Sequence, residues 1–246
     1  MSALVLTRRD ITFFKYLHAC KVANTKQINR DIFKIGHRTC QYRLMKLSQK
    51  KFIEKVLSLK DEDKSFVFSL SSKGMKAVNV NFENLIHGKR YKSDSIEHDL
   101  KLVNIRNIFL GFKMTKNYLT ENQLQTYDLS NLDNILNSFK EMRVDAVAWI
   151  EDTGKPKLMI PIELEISTKS ASEYLNKITE IYYQSSMPFL FCICDSKETE
   201  KKIKKVEQDF IKDGRKKIFY STYKDIISHN GMVNFISLDQ QIFSLK

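Results

Sequence analysis

Proline and glycine are scarce in this chain, 3 and 7 of 246 residues. With 42% hydrophobic residues and so few breakers, the composition excludes a low-complexity tract and describes a globular chain with one large core or two modest ones. No apolar run approaches the roughly 20 residues that a membrane span needs. The opening MSALVLTRRDITFF places its charges after a very short apolar stretch instead of before a long one, so a cytoplasmic location is expected. Cysteine is sparse too. Cys20, Cys40, Cys192 and Cys194 lie in apolar contexts with no second close pair or histidine at zinc-ligand spacing, which reads as reduced core residues and not as a zinc site. A glycine-rich phosphate loop is missing, which argues against ATP-driven chemistry, and no internal repeat is present.

What is abundant is positive charge, and it is unevenly placed. Residues 1–93 hold 20 Lys and Arg against 7 Asp and Glu, while residues 94–246 hold 21 against 22, so the first third accounts for the whole net charge of +12. A basic third on a neutral remainder indicates a polyanion-binding module joined to a part with another task. No basic stretch has a strong lipid-inserting face, which favours nucleic acid over a membrane surface.

TRRDITFFKYLHAC offers Thr7 as an N-cap and repeats apolar residues at Ile11, Phe14 and Leu17, the period of an amphipathic helix. NTKQINRDIF offers Asn24 or Thr25 as cap and Ile28 with Ile32 as the buried side, and Gly36 breaks it. In HRTCQYRLMKLSQKK, Cys40, Leu44 and Leu47 fall within about 60° of one another, while Arg38, Tyr42, Lys46 and Gln49 point away. That outward set suits a recognition helix, since Arg, Gln and Lys address base edges in a major groove or grip the phosphates beside it. Arg43 and Lys50 on its flank, with Lys51, Arg8 and Arg9, suit phosphate contacts. FIEKVLSLKDEDKSFVFSL alternates in period two on both sides of KDEDK, a β-hairpin whose tip can lie against DNA as a wing. The acidic middle of that tip, between Lys60 and Lys64, disfavours a minor-groove role for it. SSKGMKAV starts a further helix at Ser71 or Ser72, and residues 1–80 read as a winged helix-turn-helix domain, similar to many in bacteria.

Residues 81–95 are polar and mixed and are expected to be a linker before residues 96–246. IEHDLKLVNIRNIFLGF suggests a helix with Ile96, Leu100, Val103 and Ile108 on its apolar face and Glu97 and His98 in its first turn. VDAVAWI and KLMIPIELEI are strand-like runs around the turn-rich EDTGKPK, and a symmetric hairpin about residue 154 sets Asp145 opposite Glu163. Glu163 and Glu165 are two apart and leave one face of their strand together. Three acids would then share one patch, either a solvated sheet face or a site for a cation. Like charges cost up to about 1 kcal/mol in a cross-strand pair, and more when buried, so a cation would relieve the repulsion. Magnesium takes one or two carboxylates with waters and substrate phosphates, and Asp145 with Glu163 is adequate in type for metal-assisted phosphodiester cleavage. Such a site also wants a lysine near the attacking water. Lys169 follows the strand, and Lys177 lies in SASEYLNKITEIYYQ, a helix whose Tyr174, Ile178, Ile181 and Tyr182 are expected to pack. PFLFCIC reads as a strand, ETEKKIKKVEQDFIKD as a charged helix packing through Ile203, Val206 and Phe210, and KKIFYST with YKDIISH as a strand and helix.

The order of a helix with an acid, a strand with Asp145, a hairpin, a strand with Glu163 and Glu165, a helix and an apolar strand is similar to the restriction-endonuclease-like PD-(D/E)XK core, αβββαβ. A winged helix followed by EHDLKLVNIR, YLTENQL, RVDAVAWI and IELEISTKS resembles the replication-relaxation family of bacterial and mobile-element DNA-binding proteins, to about residue 195. The resemblance implies an α+β chain of two domains. Carried over by residue, the endonuclease motif matches Asp145 and Glu163 as metal ligands, but Glu165 stands at its lysine position and Val144 at its proline position. A carboxylate cannot stabilise a developing phosphorane charge, so cleavage would depend on Lys169 or Lys177.

The expectation is a regulator of transcription or of plasmid and mobile-element replication that binds duplex DNA as a homodimer and needs no cofactor to do so. Its degenerate nuclease-like domain would serve oligomerisation or a protein partner. The alternative is an Mg²⁺-dependent endodeoxyribonuclease using Asp145, Glu163 and a relocated lysine, with Glu165 beside them. A third is an adaptor whose basic domain grips an acidic protein.

Overall fold

A computed structural model of the chain describes residues 4–58, 66–80, 92–128, 134–152, 156–183, 189–212, 214 and 216–246. Helices and strands are mixed throughout, in an α+β arrangement with two sheets. The chain divides into two compact units, Met1–Asn104 with Asn122–Asn131, and Ile105–Glu121 with Leu132–Lys246. Among the described residues no helix is long and apolar enough to cross a membrane.

The first unit opens with α1 (Arg8–Cys20), β1 (Val22–Asn24) and the short α2 (Thr25–Ile28), which continues as a π-helical turn over Asn29–Phe33. α3 (His37–Gln49), β2 (Ile53–Ser58), β3 (Phe66–Leu70) and α4 (Ser72–Asn79) follow. Local chemistry sets each start. Thr7 caps α1 in a reciprocal box with Asp10, Asn24 does the same for α2 with Gln27, and the Ser71 hydroxyl accepts from the Gly74 N–H. The turn into α3 is held by Asn29, whose amide donates to the Ile35 carbonyl at 2.8 Å and accepts from the Ile35 N–H at 3.2 Å. Phe13, Phe14, Leu17, Ile28, Cys40, Leu44, Leu47 and Ile53 are buried in one core.

The sheet order β1-β3-β2 is antiparallel throughout. β1, three residues between two helices, is absent from the sequence reading. The expected hairpin is β2–β3, but its tip, with Lys60 and Lys64, lies outside the described residues, as do residues 81–91 of the expected linker. Gly74 is required where it stands: a Cβ there would collide with the Phe52 carbonyl oxygen and come within 2.6 Å of Leu70 Cδ1.

The second unit is built on a seven-stranded sheet in the order β10-β9-β8-β7-β6-β5-β4. Its strands are β4 (Thr115–Thr120), β5 (Ala146–Ile150), β6 (Leu158–Glu165), β7 (Leu190–Cys194), β8 (Ile218–Thr222), β9 (Val233–Ser237) and β10 (Ile242–Leu245). β6, β7 and β8 run parallel, and the flanking pairs are antiparallel. In chain order, α5 (Ile96–Gly111), β4, α6 (Glu121–Thr126), α7 (Ile135–Glu141), β5, β6, α8 (Ala171–Tyr183) and β7 make helix, three strands, helix, strand, with two short helices inserted after β4; α5 passes from the first unit into the second at Ile105, and α6 belongs to the first from Asn122 on. α9 (Lys197–Phe210) and α10 (Tyr223–Ile227) complete the set. Phe191 and Phe235 stack at 3.9 Å between ring centroids in the core.

α9 does not pack as its apolar period suggests. Ile203 is buried, but Phe210 is 37% exposed, and Glu207 takes a fully buried place. Glu207 Oε2 accepts from Tyr220 Oη at 2.8 Å and Oε1 accepts from Tyr182 Oη. Two tyrosine hydroxyls satisfy a carboxyl that hydropathy would put in water.

Candidate functional site

The basic first third gathers its outward chemistry on α3. Cys40, Leu44 and Leu47 are buried to within 1% exposure, as the spacing predicts. At about 100° per residue the direction opposite them runs through Arg38, Gln41, Tyr42, Met45 and Gln49. All five are exposed, Tyr42 at 53% and Met45 at 47%. Gln41 and Met45 are missing from the outward set read from sequence. Both follow from the same helical period that points Arg38 and Tyr42 outward. Lys46 stands at the edge of this stripe, its Nζ 4.4 Å above the Tyr42 ring. α3 contains no acidic residue.

The expected phosphate contacts are placed unequally. Arg8, Arg9 and Lys51 are exposed, and Lys50 is half-buried. Arg43 is engaged elsewhere. Its Nε donates to Asp10 Oδ1 at 2.9 Å, a terminal nitrogen donates to Oδ2, and that nitrogen also reaches the Val5 carbonyl at 3.1 Å. Asp10 is fully buried. Burial opposes its charge, but the Arg43 fork and the Thr7 N–H and hydroxyl outweigh it and hold the carboxyl below its ordinary range. Arg43 therefore ties α1 to α3, and its guanidinium is occupied.

In the second unit the hairpin register is the symmetric one. Ala146 pairs with Ile162 and Ile150 with Leu158, and continuing the ladder by one residue sets Asp145 across from Glu163. Asp145 Oδ2 accepts from the Leu164 N–H at 2.7 Å. On β7, Cys192 pairs with Glu163 and Cys194 with Glu165. Neither glutamate is solvated: they are 5% and 3% exposed. α8 supplies the cation instead. Lys177 Nζ donates to Glu163 Oε2 at 2.7 Å and to Glu165 Oε1 at 3.4 Å. Lys169 Nζ lies 2.8 Å from Glu165 Oε2 and 3.0 Å from Oε1. Both candidate lysines thus reach the acids, Lys177 between the two and Lys169 on one.

Three carboxyls and two ammonium groups leave one excess formal negative charge. Burial pushes Glu163 up to about 8, Lys177 pulls it down, and Asp145 and Glu165 push it up further, so Glu163 holds a proton through neutral pH. Burial also opposes the charge on Lys177, but Glu163, Glu165 and Asp145 together overcome it and raise its pKa above the ordinary lysine value. Tyr174 closes the end of the site, accepting from the Lys169 N–H at 3.0 Å and donating to the Ser167 carbonyl at 3.1 Å.

The oxygen donors suit magnesium in type but not in position. Asp145 Oδ2 is bonded to the backbone and Glu163 Oε2 to Lys177. The cavity lined by Glu163, Glu165, Lys177 and Cys192 has a volume of about 20 Å³, room for about one water and not for a hydrated divalent ion. Among the described residues no three His, Cys, Asp or Glu side chains converge to hold a metal. Comparison of the chain with protein-family models, curated proteins and solved structures finds no match.

Proposed function

We propose that this chain is a sequence-specific duplex-DNA-binding protein that regulates transcription or the replication of a plasmid or other mobile element. The observation that carries the reading is α3, an acid-free helix whose exposed stripe lies opposite its buried one, in the third of the chain that holds all the net positive charge. In this reading the first unit is a winged helix-turn-helix, α3 enters a major groove, and β2–β3 forms the wing. Arg8, Arg9, Lys50 and Lys51 meet phosphates, and a homodimer sets the half-site spacing. The order αβββαβ supports a restriction-endonuclease-like second unit, as in the replication-relaxation family, used in the cytoplasm for oligomerisation or a protein partner. The acids' charge is met within the chain by Lys177 and Lys169, which supports a role without catalysis.

Fluorescence polarisation with random duplex DNA at several salt concentrations tests it. Affinity should fall steeply with salt, and Arg38→Ala with Lys46→Ala should weaken binding sharply. Unchanged affinity of that variant at moderate salt would remove α3 from the interface. A salt-resistant complex with an acidic protein, and no affinity for DNA, would favour the adaptor.

One contact favours a second reading. Lys177 Nζ donates to Glu163 Oε2 at 2.7 Å, which supports Lys177 as the relocated lysine. An Mg²⁺-dependent endonuclease would then use Asp145 and Glu163 as ligands once their present bonds open. Mg²⁺-dependent cutting of the DNA on a denaturing gel, abolished by Asp145→Ala, would establish it; intact DNA across several metals and DNA forms argues against it.

A further inference from the structure

The outward stripe of α3 is polar at its ends and apolar at its centre. Taking Arg38 as the origin and about 100° per residue, Met45 lies about 20° to one side and Tyr42 about 40° to the other, with Gln41 at about 60°. Met45 and Tyr42 are also the large apolar side chains that this helix leaves about half exposed. Around them stand Arg38, Lys46 and, beyond the helix end, Lys50 and Lys51, which favours an anionic partner over an apolar protein face. From Arg38 to Met45 the helix rises about 10 Å, the height of about three base-pair steps.

We propose that Met45 and Tyr42 pack against thymine C5-methyl groups in the major groove, so that the target is an A·T-rich site with a guanine at the end met by Arg38. This rests on the duplex-DNA reading of α3. The chemistry follows from what each edge offers. Thymine alone among the four bases carries a major-groove methyl, and an apolar side chain gains by covering it. Gln41, beside Met45, has the amide that pairs with adenine N6 and N7, so a thymine contact and a neighbouring adenine contact are compatible with A·T steps of either orientation. Arg38 has the fork for guanine O6 and N7. Lys46, at the edge of the stripe with its ammonium 4.4 Å from the centre of the Tyr42 ring, adds charge near the backbone.

The test uses the full chain and two duplexes that differ only in the methyl group. A site is enriched from a random duplex pool, then made once with thymidine and once with deoxyuridine. Removing the methyls should weaken wild-type binding about fourfold for each methyl that is covered. Met45→Ala, at an exposed position, should lower affinity for the thymidine duplex and shrink the difference between the two, and Met45→Leu should keep most of it. Equal binding of both duplexes by the wild type would overturn the methyl contact while leaving the DNA reading intact. A difference that Met45→Ala fully retains would also overturn it. No binding to either duplex would overturn the DNA reading itself.

Discussion

Glu163 provides a test of the acid–lysine cluster that does not depend on any ligand. Its carboxyl is raised from an ordinary 4.5 to about 8 by burial and by its acidic neighbours. Between those values the unfolded chain ionises Glu163 while the folded chain keeps the proton, so this group's contribution is fully present below pH 4.5 and is lost as pH rises through 8. The slope is about 1.4 kcal/mol per pH unit, and over the window the loss is on the order of 4 kcal/mol. Lys177 does not confuse the sign, because its pKa is raised above the ordinary lysine value and its contribution fades only in alkali. His18 has the opposite sign: lowered to about 4 by burial, it adds stability as pH rises toward its ordinary 6.5. It belongs to the first unit, whereas the single tryptophan, Trp149, lies on β5 of the second. Urea unfolding followed by Trp149 fluorescence, for wild type and Glu163→Gln at pH 5, 6.5 and 8, isolates the group. The stability difference between the two proteins should shift steadily toward the glutamine variant as pH rises. A difference that stays constant from pH 5 to 8 would refute the buried, protonated Glu163.

Lys177→Met leaves Glu163 and Glu165 without their shared cation and should lower the stability of the second unit by about 3–5 kcal/mol, read by the same fluorescence. Arg43→Ala strands the fully buried Asp10 and should destabilise the first unit by about 3 kcal/mol in denaturant melts followed by circular dichroism, with partial recovery in the double variant with Asp10→Asn.

Much of the architecture was legible because its signals are local. The buried line Cys40, Leu44 and Leu47 follows from helical spacing alone, and the pairing of Asp145 with Glu163 follows from a hairpin centred on residue 154. What was not legible depends on contacts far apart in sequence. β1 is three residues long and exists because β3 offers it an edge, with Val22 paired to Ser69. Glu207 is buried because two tyrosines from α8 and β8 reach it, which no period within α9 reveals. Arg43 looked like a phosphate contact because nothing within α3 shows that Asp10, thirty-three residues earlier, is fully buried and needs it. The acids of β6 were legible as a cluster, but that Lys177 donates to Glu163 depends on where α8 places it.

The neutrality of residues 94–246 is therefore not an absence of charge. Among the described residues it includes closed pairs: Lys101 with Glu97, Arg143 with Glu121, Lys169 and Lys177 with Glu165, and Lys197 and Lys204 with Glu200. The described part of residues 4–80 holds only three acids, Asp10, Asp31 and Glu54, against its many cations. A phosphate backbone gains most where cations have no acid to satisfy, since each phosphate neutralised releases counterions and adds about 0.9 to the slope of log affinity against log salt. Arg8→Gln and Lys51→Gln should each reduce that slope by about 1, whereas Lys177→Met, whatever it does to folding, should leave it unchanged. A smaller slope for Lys177→Met under conditions where the protein stays folded would mean that Lys177 leaves Glu163 to meet a phosphate. The acid–lysine cluster, and not α3, would then become the place to look for chemistry on DNA.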